Sequence, residues 1–237
     1  MIKIIIDSGH GGKDVGGVGK YIEKDINLEV TLKLKKRLQI FDNVEVLTTR
    51  ETDTFVELSD RTNYANNLNA DIFISIHHNS SISNARGYEA IYSAFSEKGK
   101  HFAEILCEEF SKYKTKHRGA FFKFNSKERD YFHVIRETTM PAVIGEFEFV
   151  QHEVNVDEEV EAYFKTIVRY FNLKEKQEEN KEHWAKKHFD SINLNGLKLH
   201  EMRFDDAINR GETFKLIDEL LKRIVHLEEL LKDHLED

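Results

Sequence analysis

Three short apolar runs each lead into a residue suited to metal binding or acid–base chemistry. Ile2–Ile6 leads into Asp7-Ser8-Gly9-His10-Gly11-Gly12, Ile72–Ile76 into His77-His78-Asn79, and Ala142–Ile144 into Gly145-Glu146. Short β-branched runs bounded by turn residues read as buried strands. The stretch from Ile26 to Leu38 fits two periods: Ile26, Leu28, Val30, Leu32 and Leu34 alternate, while Ile26, Val30, Leu34 and Leu38 form a helical stripe. Its length and its Leu, Lys, Glu and Arg content decide for a helix. Further strands are expected at Val44–Thr48, Tyr88–Tyr92 and Phe132–Ile135. Further helices are expected at Leu58–Leu68 with Ser59 as N-cap, at Gly99–Tyr113 and at Val160–Phe171. Strands alternating with helices predict an α/β fold, a mostly parallel twisted sheet flanked by helices on both faces.

That architecture gives the three runs a common destination. In a parallel α/β sheet the residues just past the carboxyl ends of the strands meet along one edge, where ligands bind. His10, His77 and Glu146 therefore converge although they are distant in sequence, and Glu23 follows the glycine-rich loop after His10. Two histidines and a carboxylate make a catalytic zinc set that leaves a coordination position open, and a second carboxylate nearby can take a proton from water. Spacing alone does not settle this. No HExxH or CxxC pair fixes two ligands locally, and among 12 histidines a strand-end histidine is by default a polar surface residue.

Composition narrows the classes. A net charge of −8 argues against nucleic acid as a partner. No apolar run is long enough to span a bilayer, so no membrane insertion is expected. The chain enters a strand from Met1 without the features of a signal segment, which points to synthesis in the cytoplasm. The single cysteine, Cys107, falls in the apolar stripe of Phe102, Ile105, Leu106 and Phe110, the setting of a buried helical thiol rather than a nucleophile.

The segment Ile4-Ile5-Ile6-Asp7-Ser8-Gly9-His10-Gly11-Gly12-Lys13-Asp14, followed by Glu23-Lys24-Asp25-Ile26-Asn27-Leu28, resembles the opening of zinc-dependent N-acetylmuramoyl-L-alanine amidases of the amidase-3 family. The likeness continues through Thr49-Arg50-Glu51-Thr52-Asp53, Leu58-Ser59-Asp60-Arg61, Ser75-Ile76-His77-His78-Asn79 and Arg136-Glu137-Thr138-Thr139-Met140-Pro141-Ala142-Val143-Ile144-Gly145-Glu146, in family order over nearly all of residues 1–172. The resemblance implies a Zn2+ cofactor held by His10, Glu23 and His77, Glu146 as the catalytic carboxylate, and peptidoglycan as substrate. Asn79 beside the metal loop is a candidate substrate donor.

Two departures stand out. The residue after His77 is usually small and here is His78, and Glu148 follows Glu146 as a rival for the catalytic role. Arg50, Asp53 and Arg61 read as loop anchors, Asp7 either as a partner of a ligand histidine or not, and His78, His133 and His152 as surface groups or site-lining ones. The aromatic run Phe121-Phe122-Lys123-Phe124 reads as part core, part floor for a sugar-peptide chain. A zinc exopeptidase on a related scaffold and a non-catalytic wall-binding protein are the alternative functions.

Lys174–Glu182 contains no apolar residue, which places a domain boundary there: catalytic domain 1–174, charged linker 175–182 and a small helical domain 183–237. His183-Trp184-Ala185 through Asn209-Arg210-Gly211-Glu212 resembles a single S-layer homology motif, implying a secondary cell-wall polymer as ligand; a helical cap is the plainer reading. Ile217, Leu220, Ile224, Leu227 and Leu231 make a coiled-coil seam of about two heptads, which suggests a homodimer or packing within the chain. Such a tail gives the chain an endolysin-like plan, that of a phage or prophage lysis enzyme, with a bacterial autolysin as the close variant.

Overall fold

The computed structural model describes residues 1–114, 116–174 and 218–227. The chain divides into two units, Met1–Lys176 and Gln177–Asp237.

In the first unit the elements run β1 (Ile2–Ser8), α1 (Glu23–Leu38), β2 (Val44–Thr48), α2 (Leu58–Asn67), β3 (Ile72–Asn79), β4 (Tyr88–Tyr92), α3 (Glu97–Phe110), β5 (His117–Phe121), α4 (His133–Arg136), β6 (Ala142–Phe149) and α5 (Val156–Phe171). The six strands form one sheet in the order β2-β1-β3-β6-β4-β5. β2, β1, β3 and β6 run parallel, β4 is antiparallel to β6, and β5 is parallel to β4. This is the mostly parallel α/β sheet expected.

Side chains alternate across a strand, so each run feeds two cores. Ile4 and Ile6, Ile74 and Ile76, and Val143 and Phe147 face α1, α3 and α5, meeting Val30, Leu34, Phe102, Leu106, Tyr163 and Phe164. Ile5, Phe73 and Ile144 face the other way, toward Ala65, Val134 and Ile135 of α2 and α4. Both faces of the central strands are buried, which is why their sequences are nearly all apolar rather than alternating.

Three local expectations differ from the structure. Phe132–Ile135, expected as a strand, is instead the single helical turn α4, whose Val134 and Ile135 are buried in the second core and whose end is held by Arg136 donating to the carbonyls of Asp130 and Tyr131. The β preference of two branched residues yields here to tertiary packing. Ser59 is not the cap of α2; Glu57 occupies that position without a side-chain bond, whereas Ser96 caps α3 by accepting from Gly99 N at 3.0 Å. β5 was not expected, because an edge strand of sequence His-Arg-Gly-Ala-Phe has little apolar pattern to reveal it.

In the second unit, residues 218–227 are helical, with Leu221, Ile224, Val225 and Leu227 about half exposed. The S-layer-like segment and the charged linker lie outside the described residues, as do Ile217 and Leu231 at the two ends of the heptad seam, whereas Leu220, Ile224 and Leu227 lie within them. Among the described residues, no helix is long and apolar enough to cross a membrane.

Candidate metal centre

The carboxyl edge of β1, β3 and β6 carries the chemistry. His10 lies two residues beyond β1, His77 lies near the end of β3, and Glu23 is the first residue of α1. Glu146 lies inside β6 rather than after a strand, because β6 continues to Phe149, and it is the register partner of His77. His10 has a left-handed backbone, φ 61°, uncommon for a residue with a side chain. The surrounding loop is held by two arginines. Arg50 donates to the carbonyls of Ser8, Gly9, Lys24 and Thr52. Arg61 donates to those of Ser8, His10 and Val56 and to the Asp7 carboxylate. Asp53 accepts from Gly12 N and from Lys24 Nζ. These three residues anchor the loop.

Asp7 does not touch a ligand histidine. It accepts from Arg61 Nη1 at 2.7 Å, Thr49 Oγ1 at 2.7 Å and Ser75 Oγ at 2.6 Å. The carboxylate beside His10 is that of Asp14, 3.0 Å from Nδ1, in contact but without hydrogen-bond alignment.

Glu23 is the hub. Its Oε1 lies 3.1 Å from His10 Nε2 and 2.9 Å from His77 Nδ1, and its Oε2 accepts from Gly17 N at 2.7 Å. One donor atom from each of His10, Glu23 and His77 lies within 4.8 Å of the others. Small residues make room for this. A Cβ on Gly9 would stand 2.3 Å from the His77 ring, and one on Gly16, at φ 66°, would stand 2.6 Å from both the Glu23 carboxylate and the His10 ring. Two imidazoles and a carboxylate packed this closely are a donor set suited to a borderline divalent cation such as zinc.

Charge follows the geometry. Burial pushes the Glu23 carboxyl up, but hydrogen bonds and charge from His10 and His77 outweigh it and hold Glu23 well below the usual carboxylate range. Burial lowers His10, and the close carboxylates of Glu23 and Asp14 outweigh it and raise its pKa. Glu146 goes the other way. Burial first, then the negative charges of Glu23, Glu89 and Glu159, push its carboxyl well above the ordinary range, against the opposing charge of Arg118. Its Oε2 is buried without a hydrogen-bond partner. Glu148 instead spends Oε1 on the backbone N–H groups of Gly87 and Phe149. A cavity of about 380 Å³ opens onto His10, His77 and Glu146, walled by Phe55, Leu58, Phe132, His133 and Ile144.

The remaining sequence candidates fall out as follows. The Asn79 side chain donates to Glu89, which also pairs with Arg118. His133 lines the cavity, and the His152 ring reaches the Ala85 carbonyl. His78 is not a surface group but is 1% exposed. Phe122 and Phe124 are more than 40% exposed, so they are surface aromatics rather than core. Cys107 is buried, which pushes its thiol up to about 12 and leaves no thiolate for catalysis. Sequence reasoning missed Asp14, Glu89, Arg118 and the partners of His78. Asp14 stands four residues from His10, and that spacing was the one available signal.

Residues 4–169 match the family profile described as N-acetylmuramoyl-L-alanine amidase (Amidase_3). The N-acetylmuramoyl-L-alanine amidase CwlM of Bacillus licheniformis is 36% identical over 173 residues, covering 71% of this chain and 65% of that protein. The endolysin of Bacillus phage SPP1 is 32% identical over 194 residues, covering 74% of this chain and 69% of that protein. Against the sporulation-specific amidase of Bacillus subtilis the chain spans 57% of the relative's length, so it matches only part of these proteins. The catalytic domain of the amidase CwlV from Bacillus (Paenibacillus) polymyxa superposes with a TM-score of 0.66 at 36% identity, over 73% of this chain and 100% of that one. Sequence profile, relatives and fold thus agree over the unit that holds His10, Glu23, His77 and Glu146, and the chain belongs to the N-acetylmuramoyl-L-alanine amidase (amidase-3) family.

Proposed function

We propose that this chain hydrolyses the amide between N-acetylmuramic acid and L-alanine in peptidoglycan, with a zinc ion held by His10, Glu23 and His77 and with Glu146 as the catalytic carboxylate. The observation that carries the reading is the convergence of three donor atoms within 4.8 Å beside an unpartnered Glu146 oxygen in an open cavity. When bound, zinc supplies Lewis acidity to the amide carbonyl and to water. The chain supplies the rest. Glu146 Oε2, free of other bonds, accepts the proton of the attacking water and returns it to the leaving amine of L-alanine. Phe55, Phe132 and Ile144 narrow the cavity and limit bulk water around the reacting amide. Asn79, whose side chain donates to Glu89, is the proposed polar contact for substrate.

The same reading covers the whole chain. Residues 1–174 form the catalytic domain, 175–182 a linker, and 183–237 a small domain that holds a secondary cell-wall polymer and pairs with a second copy through its last helix. Likeness to the SPP1 endolysin supports a phage or prophage lysis role, in which the enzyme acts at the wall of the host.

The test is digestion of purified sacculi with the zinc-loaded and the chelator-stripped protein. New N-terminal L-alanine without new reducing sugar ends, lost on chelation and restored by zinc, is the expected result. Hydrolysis of short peptides with intact sacculi would point to an exopeptidase instead. Undiminished activity in metal-free protein would remove zinc from the reading.

A further inference from the structure

His78 carries a bond network that the proposed reaction does not use. Its ring has no exposed side-chain surface, and neither does Glu159 of α5. Nε2 lies 2.9 Å from Glu159 Oε2, and Nδ1 lies 2.8 Å from Asn27 Oδ1. The Asn27 amide is oriented by its own donation from Nδ2 to the Gly9 carbonyl at 3.3 Å, so the oxygen must face His78. The backbone N–H of His78 donates to Glu23 Oε1 at 3.2 Å. The His77 and His78 rings leave β3 on opposite faces, since the two residues are consecutive in the strand, while Glu23 reaches the donor set from α1, the helix that also carries Asn27.

Each attachment point belongs to an element that carries one of the three donors. Gly9 precedes His10, Asn27 follows Glu23 by four residues and so shares its helix face, and His78 adjoins His77. Glu159 adds α5, which packs on α1 through the first core. One imidazole and one amide thus join the β1 loop, α1, β3 and α5 directly beneath the donor set. Burying His78, Asn27 and Glu159 this completely is costly unless they are bonded; Glu159 Oε1 is left without a partner, so the bonds at its Oε2 and at Asn27 carry the network and persist only while these elements keep their spacing.

We infer that His78, clamped by Asn27 and Glu159, is a positioning residue that sets the separation of His10, Glu23 and His77 and thereby the affinity and geometry of the metal site. The inference rests on the metal-site reading proposed above. Buried partners one step behind metal ligands typically change metal affinity about 10- to 100-fold when removed.

The experiment measures zinc dissociation constants of the full chain by competition with a chromophoric chelator. It also records the visible spectrum of the cobalt-substituted protein. His78→Ala and Glu159→Ala are each expected to weaken zinc binding about 10- to 100-fold and to alter the cobalt bands. Glu159→Gln, whose amide can meet the ring nitrogen as donor or acceptor, is expected to retain most of the affinity. Leu34→Ala, a buried deletion on α1 away from the network, controls for stability alone: its melting temperature should fall with no change in affinity or spectrum. Where His78→Ala fails to fold, Glu159→Ala decides. Unchanged affinity and spectrum in the His78 and Glu159 alanine variants would overturn the inference while leaving the metal reading intact. An equal loss of affinity in Leu34→Ala would overturn it as well. A wild-type chain without zinc affinity would overturn both.

Discussion

Glu146 and Glu148 stand two residues apart on β6, in the stretch where the register against β3 shifts. What separates them is what their oxygens already hold. Glu148 is committed to two backbone N–H groups, those of Gly87 just before β4 and of Phe149. Glu146 Oε2 is buried, unpartnered and beside the donor set, with its proton held more tightly than usual by burial and by neighbouring carboxylates. A group already satisfied by the backbone is a structural acceptor, whereas an open one can exchange a proton. Glu146→Gln is therefore expected to keep zinc and lower kcat on sacculi by about 10²–10⁴-fold, the usual worth of a general acid–base group. Glu148→Gln retains an oxygen for Gly87 and should keep most of its activity. Metal content by atomic absorption together with turnover on sacculi checks both. Full turnover in Glu146→Gln would give the role to another group.

At the scale of elements, the Asp7–Arg61 pair ties β1 to α2 and, through Ser75 and Thr49, to β3 and the end of β2. Burial raises the Asp7 carboxyl, but the Arg61 charge and the bonds from Ser75, Thr49 and Arg61 outweigh it and lower its pKa in the fold. Because the folded value is depressed, the pair stabilises the protein fully above the unfolded value of about 3.9, and the contribution is lost as pH falls through the folded value. Asp7→Asn leaves the Arg61 guanidinium buried without its counter-charge, at a cost of about 3–5 kcal/mol. Urea unfolding of both proteins between pH 7 and 2 should show this gap near neutrality and a narrowing gap below about pH 4. A gap that is constant with pH would refute the pair as its source. The same elements show what the sequence revealed. Strands Val44–Thr48 and Tyr88–Tyr92 were legible to the residue, because β-branched and apolar residues bounded by polar ones leave no competing period. The convergence of His10, His77 and Glu146 followed from parallel strands sharing a carboxyl edge. The antiparallel seating of β4 between β6 and β5 was not legible, since the direction of a strand leaves no mark in its own residues. Nor was the burial of His78, because its partners Asn27 and Glu159 lie 51 and 81 positions away.

For the whole molecule the open question is what the C-terminal segment adds to the catalytic unit. Residues 218–227 are helical and present Leu221, Ile224, Val225 and Leu227 about half exposed. Covering such a side chain fully is worth about 1.5–3 kcal/mol, so an apolar stripe of this kind favours a partner surface. The heptad spacing of Ile217, Leu220, Ile224, Leu227 and Leu231 suits a second copy of the same helix, and a two-fold pair is the commonest closed arrangement. If the segment binds the wall as proposed, pairing would also present two copies of it to a repeating polymer, where the second contact forms at the high effective concentration set by the first. Light scattering at micromolar concentration should then give twice the chain mass for the full protein and a single mass for a chain ending at Lys174. The shortened chain should still unfold cooperatively and still cleave soluble muropeptides, because both cores and all four site residues lie within it. Its binding to intact walls should fall by more than a loss of one site would give. A monomeric full chain would refute the pairing, and equal wall binding by both would assign recognition of the wall to the catalytic unit alone.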